Sequence, residues 1–516
     1  MGKWRVFVWL LGILFFFLSI AGSAVEPEVT FERLPERNGF REIAVTTPLA
    51  NYLFSEDGGV LTSVLLTFAP YGSQVAELVY GTTTDATTLA RRYTVDAEFP
   101  FALRGEGTRG VYTLEEPENT ESGALVITFT GDLEGYSVIK RFTLRPDALY
   151  GMEVEIEVTP RAGANSELAM TVGKQIPHGG GRELKYLFDG EPGSALLAPG
   201  SYFTFSGLGL IDKTVVFFLT PAEGTVVTPF AETTESGSRR FGVTLDGSEG
   251  PATYRFSLYS GRRRFLLMKE AGIEALDEPG IGARAMVAVI QFLDVLYRAT
   301  GNYGWSIILF TLLMRIVLFP LMRKQYHSMA KMQQIQPRLK KIQQRYKDNR
   351  EEMQKKVLEI YRKEGVNPMG GCFPMLIQLP IIFIIWRAML YASEQIHLSP
   401  GFLWIPDLSQ HDPYFILVIV TTLIMLVQQR FMTPVSTGEG SGATKYLGYV
   451  FPLFMAFLLW KFPAGLWLYY LLTTAAQVGQ QAFVNWEMAR ADGGTVSVGD
   501  LSEEEEGDGD DAAEGS

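Results

Sequence analysis

A chain of 516 residues in which 47% are hydrophobic is long enough for several domains and too apolar to stay disordered. A single cysteine, Cys372, excludes an intramolecular disulfide framework, and four scattered histidines (His178, His327, His397, His411) offer no zinc or haem spacing, so no metal or cofactor is expected. The net charge of −12 hides a polarity: the tail LSEEEEGDGDDAAEG gathers acid while residues 322–363 gather base.

At the N-terminus, Lys3 and Arg5 precede an apolar run over residues 6–20, so residues 1–24 read as an export signal. The small residues AGSA at 21–24 suit signal peptidase, and composition alone leans to cleavage after Ala24 over retention as a signal anchor. Residues 25–280 change character. Period-2 alternation in GALVITFTGD (123–132), YGMEVEIEVTP (150–160) and ATYRFSLYSG (252–261), with Gly, Pro, Asp and Asn between, predicts a large, mostly antiparallel all-β sandwich.

Residues 281–301 follow as an amphipathic helix, with Met286, Val289, Ile290, Leu293, Leu296 and Tyr297 on one face and Gln291, Asp294 and Arg298 opposite. The pattern suits packing on the β domain or lying flat on a membrane; a position just before a span favours the membrane surface. Five hydrophobic segments come next, at 305–322, 373–391, 414–427, 446–459 and 465–483. Several fall near or below the ~20 residues that cross an ordinary bilayer, which points to local thinning. WKFPAG alone separates the last two, predicting a helical hairpin that turns at Pro463 and Gly465.

The loop 323–366 carries Lys331, Arg338, Lys340, Lys341 and Arg345 among many basic residues, which places it in the cytoplasm. The β domain, one crossing earlier, is then outside, and the acidic tail 488–516 returns to the cytoplasm. Within the loop Met332, Ile335, Leu339, Ile342 and Tyr346 are spaced three and four apart, and Met353, Val357, Ile360 and Tyr361 resume after Asp348 and Asn349, which predicts an antiparallel helical hairpin ended by Gly365 and Pro368. Its charges suffice to set topology and touch anionic lipids; contact with a ribosome is the sharper reading.

TLLMRIVLFPLMRKQ, residues 311–325, puts Arg315 inside a span. An arginine there costs ~2.5–3.5 kcal/mol on insertion scales and nearly always faces protein or a wet cavity. Snorkelling toward the cytoplasmic headgroups is the simple account, since Arg315 lies only ~9 Å before Leu321. Against it stand Thr311 one turn earlier on the same face, Gln378 in another span, and Tyr469, Tyr470, Thr473 and Gln477 in the last. Each suits an ordinary interhelical hydrogen bond; together they line a hydrated groove. No Asp or Glu occurs within the five segments to pair with Arg315.

The stretches NYGWSIILFTLLMRIVLFPLMRKQ (302–325), NPMGGCFPMLIQLPIIFIIWRAM (367–389), LWIPDLSQHDPYFIL (403–417) and KFPAGLWLYYLLTTAAQVGQQ (461–481) resemble, in order, the YidC/Oxa/Alb family of membrane protein insertases, of the bacterial type with a large periplasmic domain. The β region is similar mainly in size, position and its closing LYSGRRRFLLMKEAG (258–272). The resemblance implies an α-helical membrane bundle, a five-helix core at 302–487 after an uncleaved N-terminal anchor, around a groove open to cytoplasm and lipid. It implies a β-supersandwich similar to galactose mutarotases, without reason to expect sugar chemistry. Arg315 matches the family's groove arginine, Thr311 the polar residue a turn away, Gln378 the glutamine of the following span and Tyr470 the tyrosine of the last. Implied partners are nascent membrane proteins, with the Sec translocon and ribosome as candidates; no enzymatic activity and no small-molecule substrate are implied. The acidic tail departs from the basic tails of many members and would repel ribosomal RNA.

A transporter or channel is the rival function, because intramembrane charge also marks ion pathways. It would usually show repeated halves or several paired ionisable groups, and neither is present. HGGGR (178–182) has the look of an oxyanion-hole loop, yet no GxSxG elbow exists in the chain, so an anchored hydrolase is disfavoured. GIGARA (280–285) opens no βαβ unit, and GEGSGATK (438–445) lacks the Walker ending.

Overall fold

The period-2 stretches become strands because alternate side chains find a common core. In Tyr136–Leu144 every second residue is buried, and in Gly151–Pro160 the inward set is Met152, Val154, Ile156 and Val158. The computed structural model describes residues 27–492 apart from 71–73, 80–81, 86, 94–97, 105–109, 134, 162–167, 176–180, 194–203, 235–236, 247–249, 278, 366–372 and 430–440. The export signal, Pro368, Cys372, His178 with its two following glycines, the start of GEGSGATK and the acidic run beyond 492 therefore lie outside the described residues.

The described chain forms two compact units, 27–292 with Arg387–Gly401, and Leu293–Trp386 with 402–492. In the first, a ten-stranded sheet runs Glu118–Asn119, Leu125–Leu133, Tyr136–Leu144, Gly151–Pro160, Ala252–Arg262, Val215–Pro221, Phe205–Ile211, Glu183–Phe188, Glu191–Gly193, with Val111–Leu114 also paired to Leu125–Leu133. Every named pairing in it is antiparallel, as expected. A five-stranded sheet over Thr30–Glu77 packs against it: the Phe54 ring lies 4.9 Å from Phe142 and 6.4 Å from Phe129. Alternation fails at the end of Ala252–Arg262, where residues 258–262 are all buried because both faces are covered.

At the sandwich centre Lys140 is fully buried, with no carboxylate paired to it among the described residues. Its Nζ donates to the carbonyls of Gly58 at 2.7 Å, Gly59 at 3.2 Å and Phe101 at 2.7 Å, and sits 4.3 Å from the Tyr112 ring centroid. The segment Arg387–Gly401 belongs to this unit although it follows a hydrophobic helix in sequence. Arg264 Nε lies 3.2 Å from Glu394 Oε1, with both side chains nearly or fully buried. Gln395 Nε2 donates to Glu270 Oε1 at 2.9 Å, and His397 stacks on Phe68 at 4.3 Å.

The helices are α1 (Phe265–Glu270), α2 (Ile281–Thr300), α3 (Tyr303–Arg345), α4 (Arg350–Lys363), α5 (Phe373–Tyr391), α6 (Ser393–His397), α7 (Ile416–Gln428), α8 (Ser441–Leu459) and α9 (Ala464–Asp492). Helix α2 is amphipathic as expected, burying Met286, Ile290 and Leu293 and exposing Gln291 and Arg298, while Val295 is exposed as well. Each expected hydrophobic segment is helical. Among the described residues only Tyr303–Met332 is long and apolar enough by itself to cross a membrane, the next three being shorter: Gln378–Tyr391, Ile416–Gln428 and Tyr449–Leu459.

Two boundaries differ from expectation. The first span and the first hairpin arm are one 43-residue helix, α3, started by the Asn302 side chain accepting from Gly304 N at 2.8 Å. It continues through Pro320 and Pro337, since the backbone ladder is indifferent to the change from apolar to basic side chains. The α8–α9 turn occupies 460–463, and Gly465 is already helical. Its N–H donates to Leu408 O at 2.9 Å and that of Ala464 to Gln410 O at 2.6 Å, so the preceding loop satisfies the first amides of α9.

The hairpin pairs as the spacing requires: Met332, Ile335 and Leu339 meet Met353, Val357 and Tyr361, with Ile342, Tyr346 and Ile360 packed alongside. Asn349 caps α4, its side chain accepting from Glu352 N at 3.3 Å, and Gly365 follows α4 with φ +62°, a left-handed stop that glycine adopts without steric cost.

Candidate substrate groove

Helix α3 carries its polar residues inward and its apolar residues outward. Arg315 is 7% exposed and Thr311 1%, whereas Ile316 and Val317 are 70% and 71% exposed. In water that arrangement would be inside out; in lipid it is the arrangement of lowest free energy, with the charge against protein and the aliphatic face in hydrocarbon. Helix α8 likewise turns apolar side chains outward, with Phe457 78% exposed.

Arg315 forms no ion pair among the described residues, and the titratable groups near enough to interact with it are Tyr469 on α9 and Tyr326 further along α3. Tyr469 is buried and its hydroxyl lies 3.4 Å from Gln378 Nε2 on α5, a distance at the long end of hydrogen bonding. Arginine, tyrosine and glutamine thus converge from three helices. Tyr470, the tyrosine implied by resemblance, is only half buried and packs its ring edge toward Trp467 at 6.2 Å. Adjacent helical residues point ~100° apart, so only one of the two faces Arg315.

The remaining expected residues divide. Thr311 spends its proton on its own helix, Oγ1 to Ile307 O at 2.6 Å, which leaves it only an accepting lone pair for anything else. Thr473 is buried on the face of Tyr469. Gln477 accepts from Gln428 Nε2 at 3.2 Å, joining α9 to α7. Lys331, Arg338, Lys340, Lys341 and Arg345 are all exposed on the hairpin, and Arg338 pairs with Glu364 at 2.9 Å.

Several polar groups were not singled out from sequence. Thr421 and Thr422 on α7 are buried and bond back to Leu417 O and Val418 O at 2.6 and 2.7 Å. Gln325 and Tyr326 are buried where α3 packs on α9 through Met322 and Val484. For Tyr326, eleven residues on and within ~20° of the Arg315 face, that position was the available signal; Gln325 is turned ~80° away and had none. Asp412 is fully buried and organises the loop before α7, accepting from Trp404 Nε1 at 3.0 Å and from the amides of Tyr414 at 3.1 Å and Leu417 at 2.7 Å.

The family model described as 60Kd inner membrane protein matches residues 295–491, the stretch that holds all of these helices. A Wolinella succinogenes protein named membrane protein insertase YidC is 34% identical over 372 residues, 70% of this chain and 66% of the relative. A Geobacter metallireducens protein of the same name is 29% identical, matching across 88% of this chain and 87% of its own length. The chain belongs to the YidC family of membrane protein insertases. That is a family of inner membrane proteins without enzymatic activity. A crystal structure described as an active YidC insertase with its first transmembrane domain resolved is similar over 94% of this chain and 99% of its own, with a TM-score of 0.53 at 22% identity, so the YidC fold extends over the β unit as well as the helices.

Proposed function

We propose that this chain inserts integral membrane proteins, as its YidC relatives are named to do, and that it also helps them fold, using the space beside Arg315 as a polar way station. The observation that carries the reading is a buried cation in an apolar helix, flanked by Tyr469 and Gln378 and with no carboxylate paired to it among the described residues. Such a charge is available to an acidic visitor, and at reduced dielectric its attraction is several-fold stronger than in water.

In this mechanism a hydrophilic segment of a client enters the groove without meeting full hydrocarbon, drawn by Arg315. The apolar span behind it passes along the exposed aliphatic faces of α3 and α8 into lipid, and its burial supplies the driving force. Short helices such as α7 thin the bilayer and shorten the crossing. No fuel is required, and a membrane potential assists an acidic segment moving outward by ~2.3 kcal/mol per charge per 100 mV.

In the same reading α3, α5, α7, α8 and α9 form the five-helix core, residues 1–24 remain as an uncleaved anchor, the β unit is periplasmic, and both termini are cytoplasmic. The exposed bases of the hairpin support contact with anionic lipid and with a ribosome, the acidic tail disfavours docking through the C-terminus, and the Sec translocon is a candidate partner.

The test is complementation in cells depleted of their own insertase, comparing wild type with Arg315→Ala and Arg315→Lys on a small client with an acidic translocated tail. Rescue by wild type and Lys but not by Ala is expected. Full rescue by Ala would remove the electrostatic step, and failure of wild type would remove the insertase reading.

A further inference from the structure

Four side chains line up at the end of the helical unit where α7 begins and α8 turns into α9. The His411 ring lies 5.9 Å from that of Phe415, Phe415 lies 5.2 Å from Trp460, and Lys461 Nζ sits 5.0 Å from the Trp460 centroid. His411, Trp460 and Lys461 are exposed, as is Tyr414 beside Phe415. Lys461 forms no ion pair among the described residues. The loop that presents this row is firmly built. Phe415 holds a left-handed backbone with φ +55°, which a bulky residue adopts only against a steric cost. Buried Asp412 keeps it so: its side chain accepts from the amides of Tyr414 and Leu417, and its carbonyl accepts from Phe415 N at 3.1 Å. The same loop is tied to α9 through Leu408 O and Gln410 O.

The helices that meet here turn aliphatic and aromatic side chains outward: Ile419, Leu423 and Val427 on α7, and Phe454, Phe457 and Leu458 on α8. No charged residue occurs between Lys445 and Lys461. An exposed apolar face that ends in an exposed tryptophan followed by a lysine has the composition of a membrane–water boundary, where the ring lies among headgroups and the ammonium reaches a phosphate. A soluble acidic protein would satisfy Lys461 but would leave the apolar faces directly below it in water. We infer that His411, Phe415, Trp460 and Lys461 form an interfacial anchor for one phospholipid leaflet, with Lys461 on a lipid phosphate and the aromatic rings among the headgroups beside it. The inference rests on the insertase reading, which puts α7 and α8 in lipid, and deepens it by naming what holds the bilayer thin. Helix α7 has 13 residues and rises only ~20 Å, against ~30 Å of hydrocarbon. A leaflet free to relax would submerge the end of α7, whereas a leaflet whose phosphates are held at Lys461 stays drawn in.

The experiment uses the full-length chain with Cys372→Ser, which removes its single cysteine, in vesicles of long-chain phosphatidylethanolamine and phosphatidylglycerol. A spin label is placed at Tyr414→Cys or at Leu423→Cys, and its depth is read from relaxation by oxygen against a water-soluble nickel chelate. The label at 414 should lie in the headgroup layer and the label at 423 in hydrocarbon. Lys461→Leu should let the label at 414 sink by ~5 Å, half of the ~10 Å mismatch, while Lys461→Arg should hold it in place. A label at 414 clear of the headgroups on either side, no shift in Lys461→Leu, or the same shift in Lys461→Arg would overturn the anchor. In each of those cases a label at 423 in hydrocarbon would leave the insertase reading standing. A label at 423 in water would overturn both. If Lys461→Leu does not accumulate, the unaltered anchor decides in vesicles of short-chain and long-chain lipids: the label at 414 should stay at headgroup depth in both, and sinking as the chains lengthen would overturn the proposal.

Discussion

Removing Arg264 strands a carboxylate that has no route to water. Glu394 is fully buried in the β unit, its Oε1 is 3.2 Å from Arg264 Nε, and among the described residues its Oε2 keeps only the Ser393 hydroxyl at 3.1 Å. Breaking a buried pair by deleting one partner costs about 3–5 kcal/mol, most of it the desolvation of the charge left behind. The Nε contact lacks the alignment of a hydrogen bond, so the lower end applies, about 3 kcal/mol for Arg264→Ala. Glu394→Gln should cost less, because Arg264 retains the Leu390 carbonyl and the Tyr391 ring. Replacing both by Met should recover most of the loss. Hydrogen exchange of the full-length protein reports this locally: in Arg264→Ala, amides of 264–273 and 387–401 should exchange roughly 100-fold faster, and the double Met variant should return toward wild type. Unchanged exchange in Arg264→Ala, or no recovery in the double variant, would refute the reasoning.

Glu77 gives a pH test. Burial raises its pKa, partly offset by hydrogen bonds from Ser63, Thr84 and the amides of Val79 and Val64. A raised carboxylate pKa means the folded state holds the proton longer than the unfolded chain. Its contribution is therefore complete below the unfolded value of about 4.3 and is lost as pH rises through the folded value. Glu77→Gln should flatten that acid-side slope in urea unfolding of the β unit, and an unchanged slope would contradict it. At the hairpin, Asn349→Ala removes a helix cap and should destabilise the pair by ~1 kcal/mol, read as faster amide exchange at the start of α4. Leu339→Ala, which truncates a buried contact between the arms, should cost more, ~2–4 kcal/mol, and the reverse order would refute the packing described for the hairpin.

The antiparallel β unit, the apolar helices and the hairpin seam are legible in the sequence because each rests on hydrophobic pattern, which follows from which faces are buried. For that reason the spacing of Met332, Ile335 and Leu339 matches that of Met353 and Val357 in the sequence alone. Arg315 was legible from its cost. The partner of Glu394 was not, because nothing local distinguishes a buried glutamate on a short helix from a solvated one; its arginine is supplied from beyond the far side of the first spans. Tyr469 and Tyr470 are chemically identical neighbours, and only the packing of α9 decides between them. Asp412, in HDPY, read as loop because its three donors come from a fold of the chain rather than a motif. Gly465 read as turn because glycine usually is one, whereas here a neighbouring loop fills the role of cap.

The unbroken α3 makes the hairpin and Arg315 parts of one rod. From Arg315 to Arg345 the rise is ~45 Å. Pro320 and Pro337 each delete a backbone hydrogen bond, but they do not bend alike. Pro320 sits inside the stretch that Met322 and Tyr326 hold against Val484 of α9, so a sideways load at the hairpin tip is taken up there before it reaches Arg315, and the compliance of the rod is left to Pro337, beyond the clamp.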